Sequence, residues 1–261
     1  MTSLYVESGG TGPPLVLWHG WGSNLRIFDA LRARLAPRFT MYAADLPGHG
    51  RSNSGAVLDD AATLDSLMAT VPQGAVLLGW SLGGQWALRA ALARPQRLRA
   101  LVLVHTTPRF VAAADWPHGL SVEVMQQFGT QLLADREQCL RNFLELQLRG
   151  SRGVAPSPDE LHRTLLAHGA ASLAQLQRDL QRLSDTDLRA QLGALRVPTL
   201  AIGGQHDRIT PPAAADFLGA VMAGGRTARI ARAGHLSFLS HPQAFDAAFD
   251  DFLGSLPAVA A

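Results

Sequence analysis

Short apolar runs recur along the chain, and each is followed by a Gly- or Pro-rich break. Uninterrupted runs of this length are typical of strands buried on both faces of a sheet. They predict strands at 14–18, 39–45, 74–79, 99–105, 197–204 and 227–231, with an additional edge strand at 4–8. Segments with helical periodicity predict helices at 25–36, 60–70, 83–94, 211–222 and 242–254. This alternation favours an α/β fold with a mainly parallel sheet and right-handed crossovers.

The alternation is interrupted once, between residues 109 and 192, where no convincing strand pattern occurs. This segment predicts helices around 121–134, 136–148, 158–168 and 172–182. We therefore expect one α/β core formed by residues 1–108 and 193–261, with 109–192 as a helical insertion in the sheet pattern.

The composition narrows the class of protein. The 261-residue chain is 47% hydrophobic and 17% charged, which favours a globular fold over disorder. Its 23 basic residues are all arginine, but no block of consecutive arginines indicates a nucleic-acid partner. No secretory signal pattern and no apolar run of the roughly 20 residues that a membrane helix needs are present. The one cysteine, Cys139, excludes an internal disulfide, so we expect a cytoplasmic protein without a membrane partner.

The stretch "GWSLGG" at 79–84 fits the pattern G-x-S-x-G, with a predicted strand before it and a predicted helix after it. In this motif the serine lies on a tight turn that exposes its hydroxyl at the carboxyl edge of the sheet. Such a turn leaves no room for side chains at the flanking positions, which explains Gly79 and Gly83. Ser81 is therefore the candidate nucleophile.

A serine hydroxyl needs a base, and the base needs an acid that fixes its tautomer. His235 follows the last predicted strand and is the candidate base, whereas His241 precedes a proline and is interpreted as a helix cap or surface residue. Asp207 lies in the loop after the preceding predicted strand and is the candidate acid, whereas Asp216 lies on a predicted helix and is interpreted as solvated. The chain order Ser, Asp, His matches one known arrangement of a catalytic triad.

The tetrahedral intermediate of such chemistry needs backbone N–H donors. The segment "HGWG" at 19–22 follows a predicted strand, and its small residues let the backbone approach a substrate oxygen. The N–H groups of Trp21 and Leu82 are the expected donor pair, with His19 bracing the loop. The other histidines show no metal-ligand spacing, so no metal site is predicted, and His105 is interpreted as pocket wall or a structural residue.

These motifs resemble the α/β-hydrolase superfamily over the whole chain. "HGWG", "DLPGHGRS" (45–52), "GWSLGG", "GGQHDRITP" and "GHLSFLSHP" stand in the order and at the spacing of that family. The resemblance implies the α/β-hydrolase fold, with the insertion at 109–192 forming a helical lid. It implies no metal or organic cofactor.

A closer resemblance is to the pimeloyl-[acyl-carrier protein] methyl ester esterases of biotin biosynthesis. It rests on Trp80 before the serine, "DWP" at 115–117 and "FLELQLRG" at 143–150. It implies that Ser81 attacks the methyl ester of a pimeloyl chain carried on acyl carrier protein, and that methanol leaves. The positions that match substrate contacts of that family are Trp21, Trp80, Leu82, Phe143, Leu144, Glu145, Leu146 and Gln147.

Acyl carrier proteins are acidic, and a basic patch on the lid would suit them. Arg141, Arg149 and Arg152 face only Glu145 across 141–152, and we expect these three to receive the carrier. Residues 109–190 as a whole hold nine Arg against ten Asp plus Glu, so a solvated mixed-charge face is the alternative. The protein is expected to be a monomer.

Other functions remain open from the residues alone. A general short-chain carboxylesterase or a C–C bond hydrolase would share the triad and the oxyanion donors, and would differ in the lid. A non-enzymatic ligand receptor on this fold would be favoured by a degenerate triad, whereas all three members are present here.

Overall fold

Alternating strands and helices build a seven-stranded sheet in the computed structural model, which describes residues 3–153 and 155–257. The strands are β1 (Val6–Gly9), β2 (Pro14–Trp18), β3 (Thr40–Ala44), β4 (Ala75–Trp80), β5 (Leu98–Val104), β6 (Thr199–Gly204) and β7 (Gly225–Ile230). Their order across the sheet is β1-β3-β2-β4-β5-β6-β7. The edge strand β1 is antiparallel to β3, and every other neighbouring pair is parallel. The predicted mainly parallel sheet is confirmed.

Ten α-helices cover the described part of the chain. They are α1 (Asp29–Leu35), α2 (Asp60–Met68), α3 (Leu82–Ala93), α4 (Val122–Ala134), α5 (Arg136–Leu148), α6 (Pro158–His168), α7 (Leu173–Asp185), α8 (Pro212–Val221), α9 (Ser237–Ser240) and α10 (Pro242–Gly254). None of these helices is long and apolar enough to cross a membrane.

Strands β2, β4, β5 and β6 are buried on both faces, as their continuous apolar runs predict, whereas the edge strands β1 and β7 are partly exposed. In β2, Leu15 and Leu17 pack into one hydrophobic cluster with α1 and α10. Val16 and Trp18 alternate with them and pack into the other cluster with α2, α3 and α8. All four side chains are fully buried. The parallel strands therefore bring their carboxyl ends to one protected edge, where the loops after β4, β5, β6 and β7 meet.

Helices α4 to α7 lie between β5 and β6 in the sequence, where the insertion was expected. Each begins at a Ser or Asp whose side chain accepts a hydrogen bond from a backbone N–H in its first turn. These capping residues are Ser121, Asp135, Ser157 and Ser172. Such caps satisfy backbone donors that the helix itself cannot, and they fix where each helix starts.

Polar contacts tie these helices to the core. Asn24 Nδ2 donates to the carbonyl oxygen of Leu165 at 2.8 Å, and Trp21 Nε1 donates to that of Leu176 at 2.9 Å. His168, the last residue of α6, lies 2.8 Å from the buried carboxylate of Asp45. The inserted helices are thus anchored at several points on the core.

The structure differs from the predicted elements in small ways. The helix predicted at 25–36 divides into a 3₁₀ turn, Leu25–Phe28, and α1, because the backbone leaves helical angles at Phe28, with φ −96° and ψ 1°. Asn24 caps the turn by accepting from the N–H of Arg26. Residues 111–120 contain two isolated β-bridges where no strand was expected. A 3₁₀ helix at Arg189–Ala194 and the short α9 were not predicted.

Candidate active site

Ser81 lies alone in the turn between β4 and α3, with φ 56° and ψ −118°. This left-handed φ is strained for a residue with a Cβ, and such strain concentrates at functional sites. A Cβ at Gly79 would overlap the carbonyl oxygen of Gly83, and one at Gly83 would overlap those of Trp18 and His19. The glycines therefore let α3 begin directly above the ends of β2 and β4.

The loops after β6 and β7 bring a carboxylate and an imidazole together. His235 Nδ1 lies 2.8 Å from Asp207 Oδ2 and donates to it. Asp207 Oδ1 accepts from the backbone N–H groups of Ile209 and Thr210 at 2.8 and 3.0 Å. The other imidazole nitrogen, His235 Nε2, is buried and has no hydrogen-bond partner among the described residues. Since Nδ1 holds a proton toward Asp207, Nε2 is free to accept one from a hydroxyl.

The carboxyl group of Asp207 is held in its charged form. Burial by itself would raise the pKa of Asp207, but the charge of His235 and the hydrogen bonds from His105 and His235 outweigh it. The pKa of Asp207 therefore lies well below its usual range, and the group remains an acceptor at every pH of interest.

A second imidazole reaches the same carboxylate. His105, the residue after β5, places Nδ1 3.0 Å from Asp207 Oδ2. Sequence reasoning interpreted His105 as pocket wall or structural, and it missed this contact across 102 positions. The sequence did contain a signal for this contact. Since β5 and β6 were expected to be parallel, the residue after β5 should lie at the same sheet edge as the loop after β6, which holds Asp207.

The three donor groups could in principle suit a metal ion, since one ligand atom from each of His105, Asp207 and His235 lies within 4.8 Å of the others. However, both Nδ1 atoms already hydrogen-bond to Asp207 Oδ2. We therefore interpret the cluster as a hydrogen-bonded network.

The expected oxyanion donors lie beside Ser81. A Cβ at Gly20 would come within 3.0 Å of the Ser81 Cβ, so the 19–22 loop is packed against the serine. Within the described residues, the backbone N–H groups of Trp21 and Leu82 donate no hydrogen bond to the protein. The loop is braced by His19: Leu46 N–H donates to its Nε2 at 2.9 Å, so its Nδ1 carries the proton given to Gly20 O.

Comparison with known proteins agrees with this geometry. Residues 13–242 match the family model of the alpha/beta hydrolase fold. The chain belongs to the alpha/beta hydrolase family.

Relatives with curated names cover nearly the whole of this alpha/beta hydrolase. It is 39% identical over 259 residues to the pimeloyl-[acyl-carrier protein] methyl ester esterase of Stenotrophomonas maltophilia, covering 97% of each chain. It is 39% identical over 251 residues to the protein of the same name from Nitrosomonas europaea, covering 96% of this chain and 99% of the relative. Among solved structures, an esterase from Exiguobacterium antarcticum superposes with a TM-score of 0.88 at 26% identity, covering 97% of this chain and 96% of the other.

An apolar cavity of about 240 Å³ opens beside Ser81 in this hydrolase. Three aromatic side chains of its wall, Trp21, Phe128 and Phe143, pack edge to face with ring centroids 5.1 to 5.3 Å apart. The remaining wall is mostly aliphatic, from α4, α5 and α7, with Arg208 and Ile209 from the loop after β6. The cavity suits a flexible hydrocarbon chain that ends at the serine.

Only some of the positions that the resemblance implied as substrate contacts line the cavity. Phe143 and Leu146, three residues apart on α5, line the cavity. The side chains between and beside them point elsewhere because a helix turns about 100° per residue. Leu144 and Gln147 are buried outside the cavity lining, and Glu145 is exposed. Trp80 is fully buried, and its Nε1 donates to the carbonyl oxygen of His235 at 3.0 Å.

The three arginines expected at a docking surface differ in their charge balance. Arg141 is paired with Asp159 at 2.7 Å and with Glu137 at 3.7 Å. Arg149 and Arg152 are exposed, and neither forms an ion pair with any residue that the structure describes. Net positive charge on this surface therefore comes from Arg149 and Arg152 more than from Arg141.

Proposed function

We propose that the protein hydrolyses the methyl ester of pimeloyl-[acyl-carrier protein], releasing methanol and the free ω-carboxylate in biotin biosynthesis. The observation that carries the proposal is a strained serine in the wall of an apolar cavity, at the sheet edge that holds the Asp207–His235 pair. The choice of substrate follows from the name of the relatives that match almost the whole chain.

In the first half of the proposed reaction, Ser81 Oγ attacks the carbonyl carbon of the methyl ester while His235 Nε2 takes the hydroxyl proton. The N–H groups of Trp21 and Leu82 hold the negative oxygen of the tetrahedral intermediate. One such donor typically contributes about 2.7–4 kcal/mol to the stability of the transition state. The C–O bond to the methoxy group then breaks, and His235 gives its proton to the departing oxygen. Methanol is released, and the acyl chain remains bound to Ser81 as an ester.

In the second half, His235 Nε2 takes a proton from water, and the resulting hydroxide attacks the acyl carbon. The C–O bond to Ser81 breaks, and the serine recovers its proton from His235. Asp207 keeps the proton of neutral His235 on Nδ1 and stabilises the imidazolium formed in each half. Neither half needs a metal or an organic cofactor.

The inserted segment 109–192 is proposed to act as a lid over the acyl chain. Helices α4, α5 and α7 supply most of the cavity wall, with Phe128 and Phe143 next to Trp21. Burying each methylene of the chain contributes about 0.8 kcal/mol to binding. A pimeloyl chain therefore gains affinity here that an acetyl group does not.

The partner is proposed to be an acyl carrier protein, docked beside Arg149 and Arg152 with Arg141 at the margin. Unpaired guanidinium groups attract an acidic protein and raise the rate at which it associates. We propose that the enzyme works as a monomer in the cytoplasm, where the free, buried Cys139 stays reduced.

The decisive experiment compares three substrates: pimeloyl methyl ester on its carrier, free dimethyl pimelate and p-nitrophenyl acetate. The proposal expects kcat/KM for the carrier-linked ester to exceed that for dimethyl pimelate by at least about 100-fold. This corresponds to about 2.7 kcal/mol of additional binding free energy from the carrier. A Ser81→Ala variant is the control, and it should hydrolyse none of the three at a measurable rate.

The same panel tests the alternatives. A general short-chain carboxylesterase would favour p-nitrophenyl acetate and show no advantage from the carrier. If wild type hydrolyses no ester but cleaves a vinylogous 1,5-diketone, the C–C bond hydrolase is supported instead.

A further inference from the structure

His105 has a backbone conformation that is uncommon for a residue with a Cβ. It follows β5 with φ 46°, in the left-handed region, and its ring is almost fully buried. Apart from Ser81, only one other non-glycine residue of the described chain, Arg232, has a positive φ. Strain of this kind persists where surrounding contacts hold a side chain in place.

The contacts of His105 fix which nitrogen carries the proton. The backbone N–H of Ser237 donates to His105 Nε2 at 3.3 Å, and the Ser237 hydroxyl lies 2.7 Å from the same atom. Because an N–H can only donate, Nε2 must be the unprotonated nitrogen of a neutral ring. Burial lowers the pKa of His105, although the hydrogen bond to Asp207 opposes this, and the ring is therefore neutral. Its Nδ1–H consequently points to Asp207 Oδ2 and donates at 3.0 Å.

Oδ2 of Asp207 thus receives three donors. They are His235 Nδ1–H at 2.8 Å, His105 Nδ1–H at 3.0 Å and the Thr210 hydroxyl at 2.8 Å. Of these, the two imidazoles stand side by side, with ring centroids 5.4 Å apart. The carboxylate that orients His235 is therefore itself oriented from the neighbouring strand.

We propose that His105 is a positioning residue that acts through Asp207: it fixes the direction of Oδ2 toward His235 and takes up part of the carboxylate's negative charge. This inference rests on the proposed function, because it assigns His235 as the base. Sharing the charge weakens the pull of Asp207 on the proton of a protonated His235. Removing the His105 donor should therefore strengthen the hold of Asp207 on the His235 proton.

Few other charges act on this group. The titratable side chains that influence Asp207 are His105 and His235, and those that influence His105 are Asp207 and His235. His206 turns its Nδ1 to the carbonyl oxygen of Gly150, and Arg208 is exposed. A change at His105 is accordingly transmitted to His235 through Asp207.

Two substitutions separate positioning from packing. His105→Phe keeps an aromatic ring but removes the donor. His105→Asn places an amide N–H at the position of Nδ1, and asparagine tolerates the left-handed backbone. With p-nitrophenyl acetate as substrate, we expect His105→Phe to lower kcat by about 10- to 100-fold, the usual weight of a hydrogen bond to a charged group. The acid limb of its kcat/KM profile should move to higher pH by about 0.5–1 unit.

His105→Asn should recover kcat to within about threefold of wild type and restore the position of the acid limb. His241→Asn is the matched control, since among the described residues the ring of His241 hydrogen-bonds only to the Ser240 hydroxyl and takes no part in the network around Asp207. It should leave both quantities unchanged.

The proposal is overturned if His105→Phe leaves the acid limb in place, or if Phe and Asn lower kcat equally and in proportion to a lower melting temperature. If His105→Phe does not fold, Ser237→Ala tests the same series of hydrogen bonds, because it removes the hydroxyl that faces Nε2 of His105. It should move the limb in the same direction by a smaller amount, and an unmoved limb would overturn the proposal. If wild type itself hydrolyses no ester, the proposed function fails, and that result is distinct from these.

Discussion

At the scale of single residues, the candidate site depends on one proton being on one nitrogen. Asp207 accepts from His235 Nδ1, so Nε2 is the free nitrogen. Asp207→Asn keeps the volume but places an amide opposite Nδ1, which favours the wrong tautomer of His235. We expect kcat to fall by up to about 10⁴-fold while the variant still folds, as its circular dichroism spectrum should show. Asp216→Asn is the control on an exposed ion pair, and activity of Asp207→Asn within a few-fold of wild type would place the acid elsewhere.

Sequence motifs predicted the candidate residues Ser81, Asp207 and His235, whereas the contact of His105 with Asp207 became visible only in the folded structure. Asp207 and His235 were expected in the loops after the last two strands, and the structure brings them into hydrogen-bond contact. The role of His105 could not be read from its neighbours in sequence, because its ring direction depends on a left-handed backbone and on Ser237. A motif records which residues meet a substrate, whereas it says little about residues that meet only other side chains.

At the scale of elements, helix α5 has residues that face the cavity, the core and solvent. Leu146 lines the cavity, whereas Asn142 on the same helix is exposed. Leu146→Trp should shorten the cavity and raise KM for p-nitrophenyl hexanoate by about tenfold or more, because each lost methylene contact costs about 0.8 kcal/mol. The same variant should leave KM for p-nitrophenyl acetate within about twofold. Asn142→Trp adds the same bulk outside the cavity, and an equal effect of both variants on both esters would contradict this assignment.

Periodicity located the elements but not their exact ends. Every predicted strand is present, and the helices at 60–70 and 242–254 correspond to α2 and α10. The helix predicted from 25 begins as a 3₁₀ turn capped by Asn24 and breaks at Phe28, where the backbone leaves helical angles, a local feature that the apolar pattern does not contain. Likewise, the pattern of α5 marks an apolar face without showing which part of that face borders a cavity.

At the scale of the whole molecule, buried histidines make stability depend on pH. Burial lowers the pKa of His19 well below its ordinary value, with the neighbouring His49 adding to the effect, and it also lowers the pKa of His105. In the unfolded chain both would titrate near 6.5, so the unfolded state binds more protons below that pH. The free energy of unfolding should fall as pH drops from 6.5 toward 5, by up to about 1.4 kcal/mol per pH unit for each histidine. Urea unfolding at several pH values measures this slope, and a flat profile between pH 5 and 7 would contradict it.

Charge on the molecular surface leads to the last prediction. Arg149 and Arg152 have no ion-pair partner in the described structure, whereas Arg141 is neutralised by Asp159 and Glu137. If an acidic carrier docks here, Arg149→Ala with Arg152→Ala should lower kcat/KM for the carrier-linked ester by about tenfold or more, and Arg141→Ala should lower it less. Hydrolysis of p-nitrophenyl acetate should stay unchanged in both variants, since none of the three arginines lines the cavity beside Ser81. Raising ionic strength from 0.01 to 0.15 M shortens the Debye length from about 30 to 8 Å, so added salt should slow wild type on the carrier-linked ester and affect the double variant less. Equal loss on both substrates would instead indicate that these arginines support the fold of the inserted helices.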